Sequence, residues 1–223
     1  MNNFQLYFKD WVKVLDYNII NDIMGKLKPL YATGKITPAY KDIFKVFNIT
    51  PYNKLKVIFL GQDPYPQKDV ATGIAFANKP GVKELSPSLN LLKESVIDFE
   101  VPHNIIIFDQ TLEEWSKQGI LLLNTALTVE LNKPGSHALL WRPFIHSLLS
   151  NLTISNPGLI YVLFGNDAQS FESDIKNNII IKERHPSWYC RNHQKLPHSF
   201  FISLDKKIKE QFNEEITWFN ELK

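Results

Sequence analysis

Four short, continuous runs of apolar residues stand out along the chain. They occupy positions 57–60, 120–123, 159–164 and 179–181. Strands that are buried on both faces of a parallel sheet have such uninterrupted apolar runs, whereas half-exposed strands alternate between apolar and polar residues. The pattern therefore predicts a central four-stranded, mainly parallel sheet.

Other segments have apolar residues at the spacing of helices. In positions 85–99 these residues recur every three or four positions, and Ser86 and Pro87 are typical of a helix start. Similar segments lie at 11–23, 38–47, 111–117, 141–152 and 168–175. Because strands alternate with helices, we predict an α/β fold, a three-layer α/β/α sandwich with its ligand site at the carboxyl ends of the strands.

The composition is that of an ordinary globular protein. With 223 residues, 44% of them hydrophobic, the chain can bury one large core, so we expect a single domain over residues 1–223. No apolar run approaches the roughly 20 residues of a membrane span, and the first residues lack the pattern of a secretion signal. The single cysteine, Cys190, excludes an internal disulfide and a cysteine-built zinc site. We therefore expect an intracellular, cytoplasmic protein without contact to a membrane.

Positive charge is concentrated in one segment. The formal net charge is only +2, but positions 182–209 contain seven basic and two acidic residues. Such a cluster is either a solvated face or a nucleic-acid contact, and charge alone does not separate the two.

Polar residues follow each predicted strand. The segments are Gly61-Gln62-Asp63-Pro64-Tyr65-Pro66, Asn124-Thr125, Gly165-Asn166 and His185-Pro186-Ser187. Taken singly, an Asp before Pro is typically a turn residue, and a lone Asn or His after a strand is typically structural. Their occurrence together and in this order favours an active site at the carboxyl edge of the sheet.

Several segments resemble motifs of the family 1 uracil-DNA glycosylases, in register from about residue 57 to residue 203. Segment 61–66 is similar to the water-activating motif, and Gly73-Ile74-Ala75-Phe76 is similar to the segment with the base-stacking phenylalanine. Ser86-Pro87-Ser88-Leu89 resembles the DNA-contacting loop, 118–129 the uracil-recognition strand, and His185-Pro186-Ser187 the start of the minor-groove loop.

The resemblance implies a role for each matched residue. Asp63 would stabilise an oxocarbenium-like sugar and orient a water, and His185, as a neutral imidazole, would donate to the uracil oxygen that gains charge. Asn124 would read the pairing edge of uracil, Tyr65 would exclude the thymine methyl group, and Phe76 would stack on the flipped ring. The other implied contacts are Gln62 with the substrate, and Pro64, Ser88 and Ser187 with DNA.

The sequence departs from the family pattern at two places. Pro66 stands where the family usually has histidine, and His185-Pro186-Ser187 continues with Trp188, Tyr189 and Cys190 in place of proline, a wedging leucine and a phosphate-contacting serine. Aromatic side chains can fill the gap that a flipped base leaves, so we hypothesise that Tyr189 or Trp188 inserts into the duplex. The alternative is a rebuilt loop that inserts nothing.

Together these features predict a monomeric enzyme that hydrolyses the N-glycosidic bond of uracil in single- or double-stranded DNA and leaves an abasic site. The predicted chemistry requires no metal and no cofactor. The basic segment surrounds His185, which favours its contact with DNA. One alternative is a non-catalytic DNA-binding or replication-accessory protein on the same fold. The other, a metal-dependent phosphate-transfer enzyme with Asp63 as ligand, is disfavoured because a glycine-rich phosphate loop is lacking.

Overall fold

A parallel sheet forms the centre of the computed structural model, which describes residues 3–99 and 106–221. Its strands are β1 (Val57–Gly61), β2 (Ile120–Asn124), β3 (Ile160–Phe164) and β4 (Ile179–Glu183), in the order β2-β1-β3-β4. All three pairings are parallel. The four predicted strands are confirmed, and the sheet is parallel throughout.

Two small antiparallel ladders accompany this sheet. Ile36–Thr37 pairs with Val129–Glu130, and Ile106–Ile107 pairs with Asn220–Glu221. Both are two residues long, too short for a readable pattern in the sequence.

Nine α-helices occur in the described ranges. They are α1 (Asn3–Phe8), α2 (Tyr17–Tyr31), α3 (Lys45–Ile49), α4 (Pro87–Phe99), α5 (Glu113–Lys117), α6 (Ala138–Ser155), α7 (Gly165–Gln169), α8 (Pro186–Arg191) and α9 (Ser199–Phe212). Short 3₁₀ turns lie at Lys9–Lys13, Tyr40–Asp42, Tyr52–Lys54 and Glu172–Asp174. Each predicted helical segment contains a helix or a 3₁₀ turn, but the sequence pattern did not predict α1, α8 and α9. Within the described ranges, no helix is both long enough and apolar enough to cross a bilayer.

Side chains cover the sheet on both faces. All five residues of β1 and all five of β3 are buried, and alternate residues of a strand point to opposite faces. The Phe59 ring lies 5.5 Å from that of Phe164 and 6.4 Å from that of Phe200 in α9. The three-layer α/β/α architecture is therefore confirmed.

The parallel register brings the carboxyl ends of the strands to one edge. Gly61 at the end of β1 pairs with Asn124 at the end of β2, and Phe164 pairs with Glu183 across β3 and β4. The polar segments that follow these strands therefore start from the same edge, as expected for an open parallel sheet.

Candidate active site

A cavity of about 330 Å³ opens at this edge of the sheet. Its volume is within the range of small-ligand pockets. Nine of the eleven site residues predicted from the sequence line it: Gln62, Asp63, Pro64, Tyr65, Phe76, Ser88, Asn124, His185 and Ser187. Trp188 and Tyr189 lie outside its lining.

The carboxylate of Asp63 is held by a backbone donor from a distant loop. Gly135 donates its N–H to Asp63 Oδ2 at 2.6 Å. A second hydrogen bond joins the same two loops. In it the Asn132 N–H donates to the Pro66 carbonyl at 2.9 Å. Burial raises the pKa of Asp63 above its usual value, the Gly135 bond opposes this rise, and the negative charge of Asp167 adds to it. The site residues predicted from the sequence did not include Gly135 or Asp167.

Strand register and backbone bonds fix Asn124 beside the Asp63 loop. The hydroxyl of Thr125 donates to the Gln62 carbonyl at 2.7 Å, and Ala126 N–H donates to the same oxygen at 3.0 Å. These bonds fasten the end of β2 to the end of β1. Asn124 and Gln62 therefore keep a constant spacing at the pocket wall.

Because Gly61 has no side chain, two pocket side chains can approach its Cα closely. A Cβ atom at this position would lie 2.6 Å from Asn124 Oδ1 and 2.9 Å from Phe76 Cζ. Both separations are shorter than real Cβ contacts, so any larger residue would displace the amide or the ring. The glycine is therefore required by the close approach of Asn124 and Phe76.

Phe76 has an unusual backbone conformation, with φ at +67°. Its carbonyl accepts a hydrogen bond from the Tyr65 hydroxyl at 3.0 Å, and Ala75 N–H donates to the Leu122 carbonyl at 3.0 Å. The Phe76 ring lies 5.4 Å from the Phe164 ring, nearly edge-on. Burial raises the pKa of Tyr65, which keeps its hydroxyl protonated as a donor.

His185 caps the start of α8 and is neutral at physiological pH. Its Nδ1 accepts the backbone N–H of Ser187 at 3.2 Å and lies 2.9 Å from Ser187 Oγ. Since a backbone N–H can only donate, Nδ1 carries the lone pair, and the proton of the neutral ring is on Nε2. Burial lowers the pKa of His185 to about 4, the nearby Arg191 charge lowers it further, and Asp167 acts in the opposite direction.

Ser88 forms part of the pocket wall near the start of α4. Ser88 is only 5% exposed. The preceding turn is held by Asn78, whose Oδ1 accepts the Ser86 N–H at 2.9 Å and whose Nδ2 donates to Ser86 Oγ at 2.8 Å. The first turn of α4 is therefore fixed at the pocket.

The two aromatic residues of α8 differ in their surroundings. Tyr189 is only 7% exposed, and its hydroxyl donates to the carboxylate of Glu183. Burial raises the pKa of Tyr189 to about 12, and the Glu183 carboxylate adds to this rise. Trp188 is half-buried, and the Arg184 guanidinium lies 3.8 Å from its ring centre. Tyr189 therefore belongs to the core, and Trp188 is the more accessible ring.

Part of the basic segment is neutralised by acidic neighbours. Salt bridges join Lys182 to Glu172, Lys206 to Glu210 and Lys209 to Glu215, at 2.6 Å, 3.8 Å and 2.6 Å. Arg191, from the same segment, lines the pocket. Its position in the pocket was not predicted from the sequence.

His137, two residues after Gly135, lies in a buried hydrogen-bonded cluster. Thr128 Oγ1 lies 2.8 Å from His137 Nδ1 and accepts the Trp141 indole N–H at 2.7 Å. Within residues 3–99 and 106–221, no group of three or more His, Cys, Asp or Glu side chains is arranged to hold a metal ion.

Comparison with known proteins identifies the family of this chain. The model of the uracil DNA glycosylase superfamily matches residues 47–216. A Fusobacterium nucleatum protein named uracil-DNA glycosylase is 34% identical over 218 residues, covering 94% of each chain. A Coxiella burnetii protein of the same name is 37% identical over 201 residues, covering 88% of this chain and 86% of the relative.

The fold also matches a solved structure. The crystal structure of mimivirus uracil-DNA glycosylase superposes with a TM-score of 0.74 at 24% identity, covering 96% of this chain and 91% of that one. The strand-end segments, and the nine predicted site residues that line the pocket, lie within the residues that match the family model. The chain belongs to the uracil DNA glycosylase superfamily.

Proposed function

We propose that this protein is a uracil-DNA glycosylase that acts in base-excision repair. It flips uracil out of DNA and hydrolyses the bond between uracil N1 and the sugar C1′, which releases free uracil and leaves an abasic site. The observation that carries this proposal is that the half-buried carboxylate of Asp63 and the neutral imidazole of His185 line one pocket. The relatives named uracil-DNA glycosylase support the same activity.

Recognition of uracil rests on side chains that line the pocket. The Asn124 amide has one donor and one acceptor group, which match an acceptor and the donor on the pairing edge of uracil. Cytosine presents the reverse pattern and would leave buried polar groups unpaired. The Phe76 ring stacks on the flipped base, Tyr65 blocks the methyl group of thymine, and Gln62 completes the wall. Fixed backbone bonds at the strand ends keep this arrangement preorganised.

Asp63 serves the sugar side of the reaction. As the C1′–N1 bond breaks, its electron pair leaves with the uracil and positive charge develops on the sugar. The Asp63 carboxylate stabilises this charge and orients the water whose oxygen bonds to C1′. The Gly135 N–H fixes one carboxylate oxygen, so the other is left to face the water.

His185 serves the leaving group. Negative charge develops on a uracil oxygen, and the Nε2–H of a neutral imidazole donates a hydrogen bond to it. Because Ser187 occupies Nδ1, the donor is on the nitrogen that remains for the substrate. The low pKa of His185 makes it a hydrogen-bond donor rather than an acid at neutral pH.

DNA contacts surround the pocket. Pro64, Ser88 and Ser187 approach the phosphate backbone, since short loops with hydroxyl groups and N–H donors suit phosphate oxygens. An aromatic residue of α8, Trp188 or Tyr189, fills the space of the flipped nucleotide. The protein acts as a monomer, as one domain and inside the cell, on single- or double-stranded DNA. The complete pocket within one chain supports the monomer.

One assay tests this function. Purified protein is incubated in EDTA with a labelled duplex that contains one uracil, and abasic sites are then cleaved with alkali. We expect strand scission by the wild type and a loss of roughly 10³-fold in kcat for Asp63→Asn, since both its charge and its action on water are removed. Equal rates for both proteins, or no scission by the wild type, would reject the enzymatic function.

A further inference from the structure

A chain of hydrogen bonds connects the surface to His185. Arg191 is the last residue of α8 and lines the mouth of the pocket. Its Nη1 donates to Ser187 Oγ at 3.3 Å, and Ser187 Oγ lies 2.9 Å from His185 Nδ1. These three residues share one short helix and its cap, so their spacing is set by the helix geometry.

The chemistry of the groups fixes the direction of these bonds. A guanidinium has donors only, so Ser187 Oγ must accept from Arg191. The hydroxyl proton of Ser187 is then available for His185 Nδ1. That nitrogen also receives the Ser187 backbone N–H at 3.2 Å. Two donors aimed at Nδ1 leave no room for a proton on it, so the ring proton stays on Nε2.

We propose that Arg191 is a positioning residue that acts through Ser187 to keep the imidazole of His185 oriented with its proton on Nε2. This inference rests on the proposed function, because the Nε2–H is the donor to uracil. Arg191 thereby acts on catalysis without contact to the base.

The charges around His185 act in opposite directions on protonation of its ring. Arg191 on α8 repels a second proton on the ring, whereas Asp167 on α7 attracts one. Asp63 lines the same pocket from the β1 side. Removal of Arg191 would therefore leave the attraction of Asp167 without an opposing charge.

The experiment replaces Arg191 by Gln and by Lys, with Arg142→Gln as the matched control. Arg142 also donates its Nη1 to a serine hydroxyl, Ser170 Oγ, at 3.3 Å, but it lies outside the pocket lining. Both arginines are exposed, or nearly so, which favours folded variants. Three quantities are measured: steady-state kinetics on single-stranded uracil DNA, the pH dependence of kcat, and the ¹⁵N shifts of His185, assigned with His185→Gln.

For Arg191→Gln we expect kcat to fall about tenfold, as for loss of a charge-assisted hydrogen bond, with a smaller change in KM. The apparent pKa of His185 should rise, and the ¹⁵N shift of its Nδ1 should change, because the Ser187 hydroxyl loses the partner that directs it to this nitrogen. Arg191→Lys should recover most of the rate, and Arg142→Gln should match the wild type. Ser187→Ala combined with Arg191→Gln should be no slower than Ser187→Ala alone, because both changes break one chain of bonds.

The opposite results would overturn the inference. A rise in KM alone, with unchanged kcat and unchanged His185 ¹⁵N shifts, would make Arg191 a phosphate contact. Additive losses in the double variant would show that it acts independently of Ser187. The ¹⁵N shifts need no turnover, so they test the inference even if the wild type releases no uracil, an outcome that would reject the proposed function instead.

Discussion

The two walls of the pocket are built in different ways. The strand-end wall, formed by segment 61–66 and Asn124, is held by backbone bonds and by the register of the sheet. The α8 wall, Pro186–Arg191 with its cap His185, is held mainly by contacts between side chains. In it Arg184 covers Trp188, Tyr189 bonds to Glu183, and Arg191 bonds to Ser187.

This difference matches where the sequence departs from the family pattern. In the strand-end wall a changed side chain disturbs atoms that the sheet has already fixed, so few residues fit. In the α8 wall the side chains contact one another, so several can change together while the helix and His185 stay in place. Apart from Pro66, the first wall resembles the family motif, whereas the resemblance of the second ends at Trp188, Tyr189 and Cys190.

The strand-end wall should therefore be intolerant of even one added methyl group. For Gly61→Ala we expect kcat/KM on uracil DNA to fall at least about 100-fold, because the new Cβ would displace the Asn124 amide and the Phe76 ring. Steady-state kinetics on a single-stranded substrate measure this loss without any contribution from duplex opening.

Gly25→Ala is the control for this substitution. Gly25 lies in α2 with no atom within 4 Å of an added Cβ, so activity should be unchanged, and the free energy of unfolding should rise by up to about 1 kcal/mol. A Gly61→Ala enzyme with wild-type kinetics would show that the strand-end wall is as adaptable as α8.

The α8 wall should separate binding of duplex DNA from catalysis. For Trp188→Ala we expect kcat/KM on duplex substrate to fall about tenfold, with little change on single-stranded substrate, because the loss of one stacking ring matters only when a base must be flipped from a duplex. For Tyr189→Phe we expect the free energy of unfolding to fall by about 1 kcal/mol through the lost bond to Glu183, with equal effects on both substrates.

The same measurements would reveal the opposite roles, with Tyr189 inserting into DNA and Trp188 supporting the helix. A duplex-specific loss in Tyr189→Phe, with Trp188→Ala unaffected, would mean that Tyr189 leaves the core to insert into DNA. Equal losses on both substrates in Trp188→Ala would mean that its ring supports the helix rather than the duplex.

The smallest effect on kcat/KM is expected from a change of pH between 6 and 8. The pH profile compares one titratable group from each wall, Asp63 and His185. His185 has a pKa of about 4 instead of the ordinary 6.5, so its ring stays neutral as pH falls from 8 to 6. Burial raises the pKa of Asp63 from 3.8, so its carboxylate gains a proton on further acidification. We expect a kcat/KM profile that is flat between about pH 6 and pH 8 and falls at lower pH. An inflection near 6.5 that His185→Gln abolishes would contradict this result.

The sequence predicted the sheet well because its strands are buried along their length. A continuous apolar run of this length is compatible with few structures other than a buried strand. The observed strand ends differ from the predicted ones by at most two residues. Helix α9 was not predicted, although Phe200, Phe201, Leu204 and Ile208 are buried at helical spacing, because basic residues dominate the pattern of that segment. Helix α8 has only six residues, so periodicity could not reveal it, although Pro186 at its first position was a signal.

The candidate site was predictable where side chains line the pocket. Asp63, Asn124 and His185 follow apolar strands, so their meeting at one edge could be inferred from the fold class. Gly135 could not be found in this way, because it contributes a backbone N–H and no side chain. Arg191 became visible only when α8 showed that it lies one helical turn from Ser187.

Phe76 has a consequence for engineering this protein. A phenylalanine at a φ of +67° costs about 1–2 kcal/mol relative to a residue that tolerates the left-handed region. The buried ring more than offsets this cost, because it is only 6% exposed and packs against Phe164, and truncation of a buried phenylalanine costs about 3–5 kcal/mol. Libraries for thermostability should therefore hold position 76 constant and seek robustness elsewhere, for instance at Gly25.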